Sequence, residues 1–475
     1  MNIAIVLDRD SPTPLHRQIY QEWRKGILTG RFRPGDRIPS TREFASTLGV
    51  SRSTVSEAWD QLIAEGYLEA AHGSGTFVCR ELPDNLLTPG WKPRPGSGEE
   101  GRVKLSRYGA GLTTDFPRAP RTPGVISFAP GMPDRDRFPF ALWRRLLARH
   151  LRRATPAIFD YAESSAGYPP LRAEIAGYLA RMRAVRCTPE QIIIVNGSQQ
   201  ALDFCARLLI EPGDEVAFEN PGYQGASRIF TAHGARLAPL AIDRDGIAIR
   251  TCTGKARLVY ATPSHQYPTG ISMSLARRLE LIQWAHDRGA AIIEDDYSSE
   301  YRYSGPPLPS LQGLAGGVPV IYIGTFSKVM FPGLRIGYVI APTKLAARFV
   351  RAKWLADRQT AVLEQSALAD FLREGHLDRH IRRMRRLYGL RREALLESLH
   401  RHFGAGATPG GDAAGMHALV RFSDERVIRR AAHNKVHLVS ADAYYLTHPP
   451  GGEVVMGFSA IGERTIREGV RRLVR

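Results

Sequence analysis

Gly324-Thr-Phe-Ser-Lys-Val-Met-Phe-Pro-Gly-Leu-Arg-Ile-Gly-Tyr338 decides how the larger part of this chain folds. The apolar run just before it, residues 320–323, predicts a short buried strand that ends in small hydroxyl residues. Lys328 then stands where the strand end meets a loop. Apolar surroundings lower a lysine's pKa, because desolvation disfavours the ammonium form. A neutral amine is what Schiff-base chemistry with an aldehyde requires. Arg335 follows seven residues later and Thr325 precedes the lysine by three. Guanidinium and hydroxyl both suit a phosphate, the first through a charge-assisted fork.

Four other stretches have the same form, an apolar strand running into polar groups. Residues 192–195 are Ile-Ile-Ile-Val, followed by Asn196-Gly-Ser-Gln-Gln. The glycine and small polar residues open a helix whose free N–H groups face an anion, which makes Ser198 and Gln199 candidates. Ala290-Ala-Ile-Ile-Glu-Asp-Asp-Tyr297 ends in carboxylates and a tyrosine, with Asp295 and Tyr297 the candidates. Residues 216–218 lead into Glu219-Asn-Pro-Gly-Tyr223, and residues 258–261 into Thr262-Pro-Ser-His-Gln-Tyr-Pro-Thr-Gly270. Open α/β sheets place ligands at the carboxyl ends of their strands.

These residues, in this order and with these gaps, resemble the fold-type-I aminotransferases, which bind pyridoxal 5′-phosphate (PLP). The resemblance runs from about residue 125 to the end of the sequence and implies a large α/β domain. It implies Lys328 as the residue bonded to the cofactor, Asp295 on the pyridine nitrogen and Tyr297 on the ring oxygen. It further implies Tyr223 stacked on the ring, with Ser198, Gln199, Thr325 and Arg335 around the phosphate. Tyr161 resembles the tyrosine that reaches the phosphate of a partner subunit.

The 475 residues carry 43% hydrophobic and 24% charged residues, ordinary for a globular protein of more than one domain. Cysteines at 79, 187, 205 and 252 have neither metal-ligand spacing nor a disulfide framework, so no metal site is expected and a reducing cytoplasm is. Asp8 interrupts the first apolar run, and no run approaches the ~20 residues a membrane span needs. The formal net charge is +18, which invites a polyanion.

The first ~80 residues read as a unit of their own. Leu15, Ile19, Trp23 and Ile27 predict an amphipathic helix, stopped at Gly30. Ser40-Thr-Arg-Glu43 is a capping-box start for a second helix, and Ser51 opens a third. Val55, Trp59, Leu62 and Ile63 are expected on its inner side, with Arg52, Ser53, Thr54 and Ser56 early and outward. Residues 66–78 predict a hairpin with a glycine-rich tip. Two short helices, a tight turn and a trailing hairpin make a small α+β winged helix-turn-helix domain.

Pro-Gly-Asp-Arg-Ile-Pro-Ser-Thr-Arg-Glu (34–43), Leu-Gly-Val-Ser-Arg-Ser-Thr-Val (48–55) and Gly-Ser-Gly-Thr-Phe-Val (73–78) resemble the GntR family of bacterial transcription regulators. By that pattern Arg42, Ser51, Arg52, Ser53 and Thr54 face operator DNA, with His72 and Gly73 at the wing. Short donors and an arginine at the start of a recognition helix suit base edges and phosphates. Yet residues 1–82 hold ten Lys/Arg and ten Asp/Glu. Binding here depends on where charge is placed.

The expected organisation is a DNA-binding domain at 12–80, a Pro/Gly-rich linker at 83–124 and an aminotransferase-like effector domain at 125–475. That arrangement resembles the MocR/GabR subfamily of GntR regulators, and implies a cytoplasmic homodimer that binds DNA, PLP and a small amine or amino acid. Two positions depart from the aminotransferase pattern. Tyr267 stands where an asparagine usually precedes Pro-Thr-Gly, and Val455 where a strand arginine usually grips the substrate carboxylate. Arg421 is a candidate substitute for that arginine. Sustained turnover is therefore left open beside a single amine exchange or half-transamination. The rivals are a working aminotransferase with a DNA-binding module, and a PLP sensor that needs no amine. A cluster of Arg379, Arg382, Arg383, Arg385 and Arg386 is a further candidate for phosphate contacts.

Overall fold

The computed structural model describes residues 7–71, 74–86, 104–112, 122–153, 160–161 and 164–474, in two compact units, Met1–Val103 and Lys104–Arg475. His72, Gly73 and most of the expected 83–124 linker lie outside the described residues.

In the first unit, α1 (Leu15–Leu28) buries Ile19, Trp23 and Ile27, and Gly30 beyond its end takes a φ of 75° that few other residues tolerate. The Ser40 hydroxyl accepts the Glu43 N–H at 3.2 Å to start α2 (Thr41–Leu48). Ser51 does the same for Thr54 at 3.2 Å, starting α3 (Arg52–Ala64). Strands β1 (Arg37–Ile38), β2 (Leu68–Ala71) and β3 (Gly75–Val78) form an antiparallel sheet in the order β1-β3-β2. At two residues, β1 is too short to show alternation in sequence.

The core of this unit is aromatic. Trp23 stacks on Phe32 at 4.2 Å between ring centroids and meets Trp59 edge-on at 5.0 Å. One inner position differs from expectation: Ile63 is exposed and Ala58 is buried in its place. At ~100° per residue Ala58, Leu62, Val55 and Trp59 share an arc of about 100°, and Ile63 falls just outside it.

The second unit is built on an eight-stranded mixed sheet. In chain order its strands are β4 (Ile192–Val195), β5 (Glu215–Asn220), β6 (Arg236–Asp243), β7 (Gly246–Ile247), β8 (Leu258–Ala261), β9 (Ala291–Asp296), β10 (Val320–Thr325) and β11 (Gly337–Ile340). They lie in the order β4-β11-β10-β9-β8-β5-β6-β7. Neighbours β10, β9, β8, β5 and β6 are parallel, whereas β11 runs antiparallel between β4 and β10. β4 therefore points the same way as β10, and the carboxyl ends of β4, β5, β8, β9 and β10 share one edge. β4, β8, β10 and β11 are buried throughout, as a sheet covered on both faces requires. A smaller sheet of β12 (Ala407–Pro409), β13 (His417–Phe422), β14 (Val439–Ser440) and β15 (Glu453–Gly457) follows, in the order β12-β13-β15-β14.

The arginine cluster lies on a helix, His376–Phe403, that buries Ile381 and Met384. Arg379, Arg382, Arg383 and Arg386 are exposed, while the Arg385 Nε donates to the Glu300 carbonyl at 2.9 Å. Among the described residues, no helix is long and apolar enough to cross a membrane.

Trp23→Ala removes the ring on which Phe32, Phe44 and Trp59 converge. We expect it to lower the stability of the first unit by about 3–5 kcal/mol. A denaturant titration followed by tryptophan fluorescence should show an early transition while the second unit's transition stays in place.

Candidate functional site

The shared strand edge opens into a cavity of about 270 Å³. The loop after β10 brings Thr325, Ser327, Lys328 and Arg335 to it, and the end of β9 brings Asp295 and Tyr297. Helix α4 (Ser198–Leu209) opens after Gly197, whose φ is 86°, and contributes Ser198 and Gln199. Tyr223 comes from the loop after β5, and Thr262 and Tyr267 from the loop after β8. Eight of the nine cofactor candidates thus line one cavity. Tyr161, the ninth, is 80% exposed and outside it.

The Lys328 Nζ donates to the Gly131 carbonyl at 2.8 Å, and a Cβ added to Gly131 would stand 2.9 Å from that amine. Burial pushes the lysine's pKa down, opposed by the nearby Asp295 carboxylate and reinforced by Arg335. Asp295 is itself raised to about 7, first by burial and also by Asp296, while the hydrogen bond from Tyr260 works against the rise. The Tyr260 hydroxyl donates to Asp295 Oδ2 at 2.8 Å, and Oδ1 is buried with no hydrogen-bond partner.

At the other end, the Arg335 Nη2 donates to the Asn196 carbonyl at 2.7 Å. A Cβ on Gly197 would come within 2.9 Å of the same guanidinium. Gln199 donates to the Tyr223 hydroxyl at 2.6 Å and so ties the ring to the start of α4. Behind the turn, fully buried Lys353 donates to Gln200 at 3.0 Å and to Asp357 at 2.7 Å. Asp357 also accepts from Asn196 at 2.6 Å and from Gln200 at 2.8 Å.

Several lining groups had no signal in the sequence. Gly131, Met416 and His417 come from distant segments, and Tyr260 is one apolar position within a strand. Val455 lies fully buried on β15, opposite Leu419 and Val439, outside the cavity lining. The expectation that Arg421 substitutes for a carboxylate-gripping arginine is not met. It is exposed on β13, two registers beyond Leu419, and lines no part of the cavity. Strand alternation keeps it on His417's face, but four residues along a strand are about 13 Å.

In the first unit Arg42, Arg52 and Ser53 are exposed, and Thr54 is half-buried. Arg52 Nε donates to the Thr41 hydroxyl at 3.2 Å. The Ser51 hydroxyl also lies 2.8 Å from those of Ser53 and Thr54.

Residues 125–472 match the family described as aminotransferase class I and II, and residues 15–78 match the bacterial regulatory proteins of the gntR family. The probable rhizopine catabolism regulatory protein MocR of Rhizobium meliloti is 41% identical over 474 residues, covering 99% of this chain and 95% of that protein. The chain belongs to the MocR-type GntR regulators.

A second MocR-type relative, the pyridoxine biosynthesis transcriptional regulator PdxR of Corynebacterium glutamicum, is 31% identical over 98% of this chain and 96% of its own length. Among solved structures, LysN, an α-aminoadipate aminotransferase of Thermus thermophilus complexed with N-(5′-phosphopyridoxyl)-L-leucine, is similar with a TM-score of 0.69 and 31% identity. It covers 79% of this chain and 95% of its own. The fold expectation therefore holds: a GntR winged helix joined to a fold-type-I α/β unit with a mixed sheet. The cofactor that these matches indicate is PLP.

The cavity suits that group on its own terms. The unpartnered Asp295 Oδ1 is a free acceptor of the kind a ring N–H needs, and the side-chain-free surface of Gly197 lets the Arg335 guanidinium lie against the start of α4, a cationic cradle that suits a phosphate.

Gly197→Ala puts a methyl group against Arg335 and strains a backbone that favours glycine. We expect PLP affinity to fall at least about tenfold with the fold retained. A cofactor absorbance titration, with circular dichroism alongside, checks both halves.

Proposed function

We propose that this MocR-type regulator holds PLP in the sheet-edge cavity and changes its grip on operator DNA when a small amine occupies the same site. The observation that carries this reading is the meeting of half-buried Lys328, buried Asp295 and Arg335 around one cavity. PLP supplies an aldehyde carbon for which Lys328 and an amine effector compete. Burial shifts Lys328 toward the neutral amine, the nucleophilic form. Asp295 Oδ1 is free to accept from a protonated ring nitrogen, and Tyr223 offers a face for the ring. Ser198, Gln199, Thr325 and Arg335 would hold the phosphate, and Tyr297 would lie near the ring oxygen.

A homodimer fits the exposed apolar residues of the second unit, among them Phe140, Leu151, Trp354 and Leu355, the last 72% exposed. Tyr161, outside its own cavity, is then available to a second copy's phosphate site. DNA as partner places the protein in the cytoplasm. We keep the expected division, a DNA-binding domain at 12–80, linker to 124 and effector domain from 125, as part of the proposal. The effector shifts DNA binding only by its difference in affinity for the two arrangements of the protein.

The similarity to LysN favours a second reading, a working aminotransferase, whereas among the described residues the lining has no arginine besides Arg335 to orient a substrate carboxylate. Steady-state assays with amino and keto acid pairs separate the two, and we expect no sustained turnover.

The purified protein should be yellow, and borohydride should fix the cofactor on Lys328. Lys328→Ala should lose the covalent link yet keep the fold. Peptide mapping that finds the reduced adduct on another lysine overturns the assignment. In the winged unit, Arg52→Ala should weaken operator binding by about 1–3 kcal/mol and relax specificity at one base. PLP loading should be unaffected, and unchanged operator affinity by fluorescence anisotropy counts against Arg52 as a base-reading residue.

A further inference from the structure

The cavity has room for more than the cofactor's anchors, and the chemistry of its remaining wall is selective. Its lining carries two cationic side chains, Lys328 and Arg335. Arg335 is committed at the phosphate end, bonded to the Asn196 carbonyl and packed on Gly197. Lys328 is the group an amine must compete with. Among the described residues, no guanidinium or ammonium in this lining is left over for a carboxylate. The position that would supply one from the strand is Val455, and Arg421 lies elsewhere on the surface.

The rest of the wall is neutral and rich in acceptors. The Tyr267 ring stands 5.1 Å from His417, 5.1 Å from Tyr444 and 5.6 Å from Tyr223. The Tyr267 hydroxyl donates to that of Tyr444 at 3.0 Å, which leaves its oxygen lone pairs free to accept. His417 Nε2 lies 3.2 Å from the Pro268 carbonyl, a contact that requires the hydrogen on Nε2 and leaves Nδ1 an acceptor. Burial and the adjacent His265 hold the His417 pKa well below the usual imidazole value, so the ring is uncharged. Burial likewise keeps Tyr267 and Tyr297 as neutral phenols. A carboxylate set against this wall loses its water without gaining a cation, while a hydroxyl finds acceptors for its proton.

We infer that the effector is a primary amine with an uncharged, hydroxyl-bearing remainder, and that carboxylate-bearing amino acids are discriminated against. The inference rests on the amine-effector reading above and names the chemical class for that site.

The test uses the full-length, PLP-loaded protein with paired probes that differ by a carboxylate in place of a CH₂OH group. Suitable pairs are 2-amino-1,3-propanediol with serine, and 4-aminobutan-1-ol with 4-aminobutanoate. Cofactor absorbance and operator affinity are read for each. The amino alcohol of a responding pair should half-saturate at a concentration lower by about tenfold or more. His417→Arg, provided its cofactor absorbance is retained, should move that ratio toward the carboxylated member. Where the variant does not load, the parent's panel decides alone. Equal or better binding of the carboxylated members to the parent overturns the inference, including the case in which a second copy supplies an arginine. An unmoved ratio in loaded His417→Arg also counts against it. Intact cofactor absorbance that no primary amine perturbs removes the amine-effector reading and this inference with it. Absence of a Lys328-bound cofactor instead defeats the cavity assignment itself.

Discussion

Withdrawing most of the Lys328 side chain from water is the constraint on which the second unit depends. An ammonium buried without compensation is costly, and here its surroundings answer with a carbonyl from Gly131 and the field of Asp295. Each partner arrives from a different part of the chain. The sheet must therefore run β9 and β10 side by side and parallel, so that Asp295 and Lys328 end at the same edge. The antiparallel β11 then returns the chain from Arg335 and sits against β4, which brings the Gly197 turn to the guanidinium.

The Arg335 end of the cavity rests on a second buried cation. Lys353, Asp357, Gln200 and Asn196 are linked by hydrogen bonds behind the turn at the start of α4. These bonds hold the Asn196 carbonyl where Arg335 binds it. The positive φ of Gly197 lets the backbone approach so closely. The cavity is thus braced by hydrogen bonds at its Arg335 end and lined by neutral phenols and an imidazole at the other.

The winged unit solves a different problem. Its Lys/Arg and Asp/Glu counts balance, so a general attraction to DNA is not built into its net charge. The two serine caps instead fix where α2 and α3 begin, and so place Arg42, Arg52 and Ser53 on the outside of an aromatic core. The Ser51 hydroxyl, expected among the groups that face DNA, is already engaged as the cap of its own helix.

What could be read from the chain alone was whatever local order encodes: hydrophobic period, capping serines, and polar groups at strand ends. Those signals yielded the main strands, the three helices of the winged unit and eight residues of one cavity, because strand, turn and side chain are neighbours in sequence. Tertiary structure alone decided the rest. Lys328 meets Gly131 across 197 positions, and His417 reaches the cavity from a separate small sheet. No local pattern carries such pairings, since they follow from which strands lie adjacent and in which sense. The same holds for the misplaced expectations. Ile63 sits just beyond the buried arc of its helix, and Arg421 lies four residues from His417 along a strand, about 13 Å from where it was wanted. Residue type and spacing name the chemistry available; only packing decides which of those groups share one space.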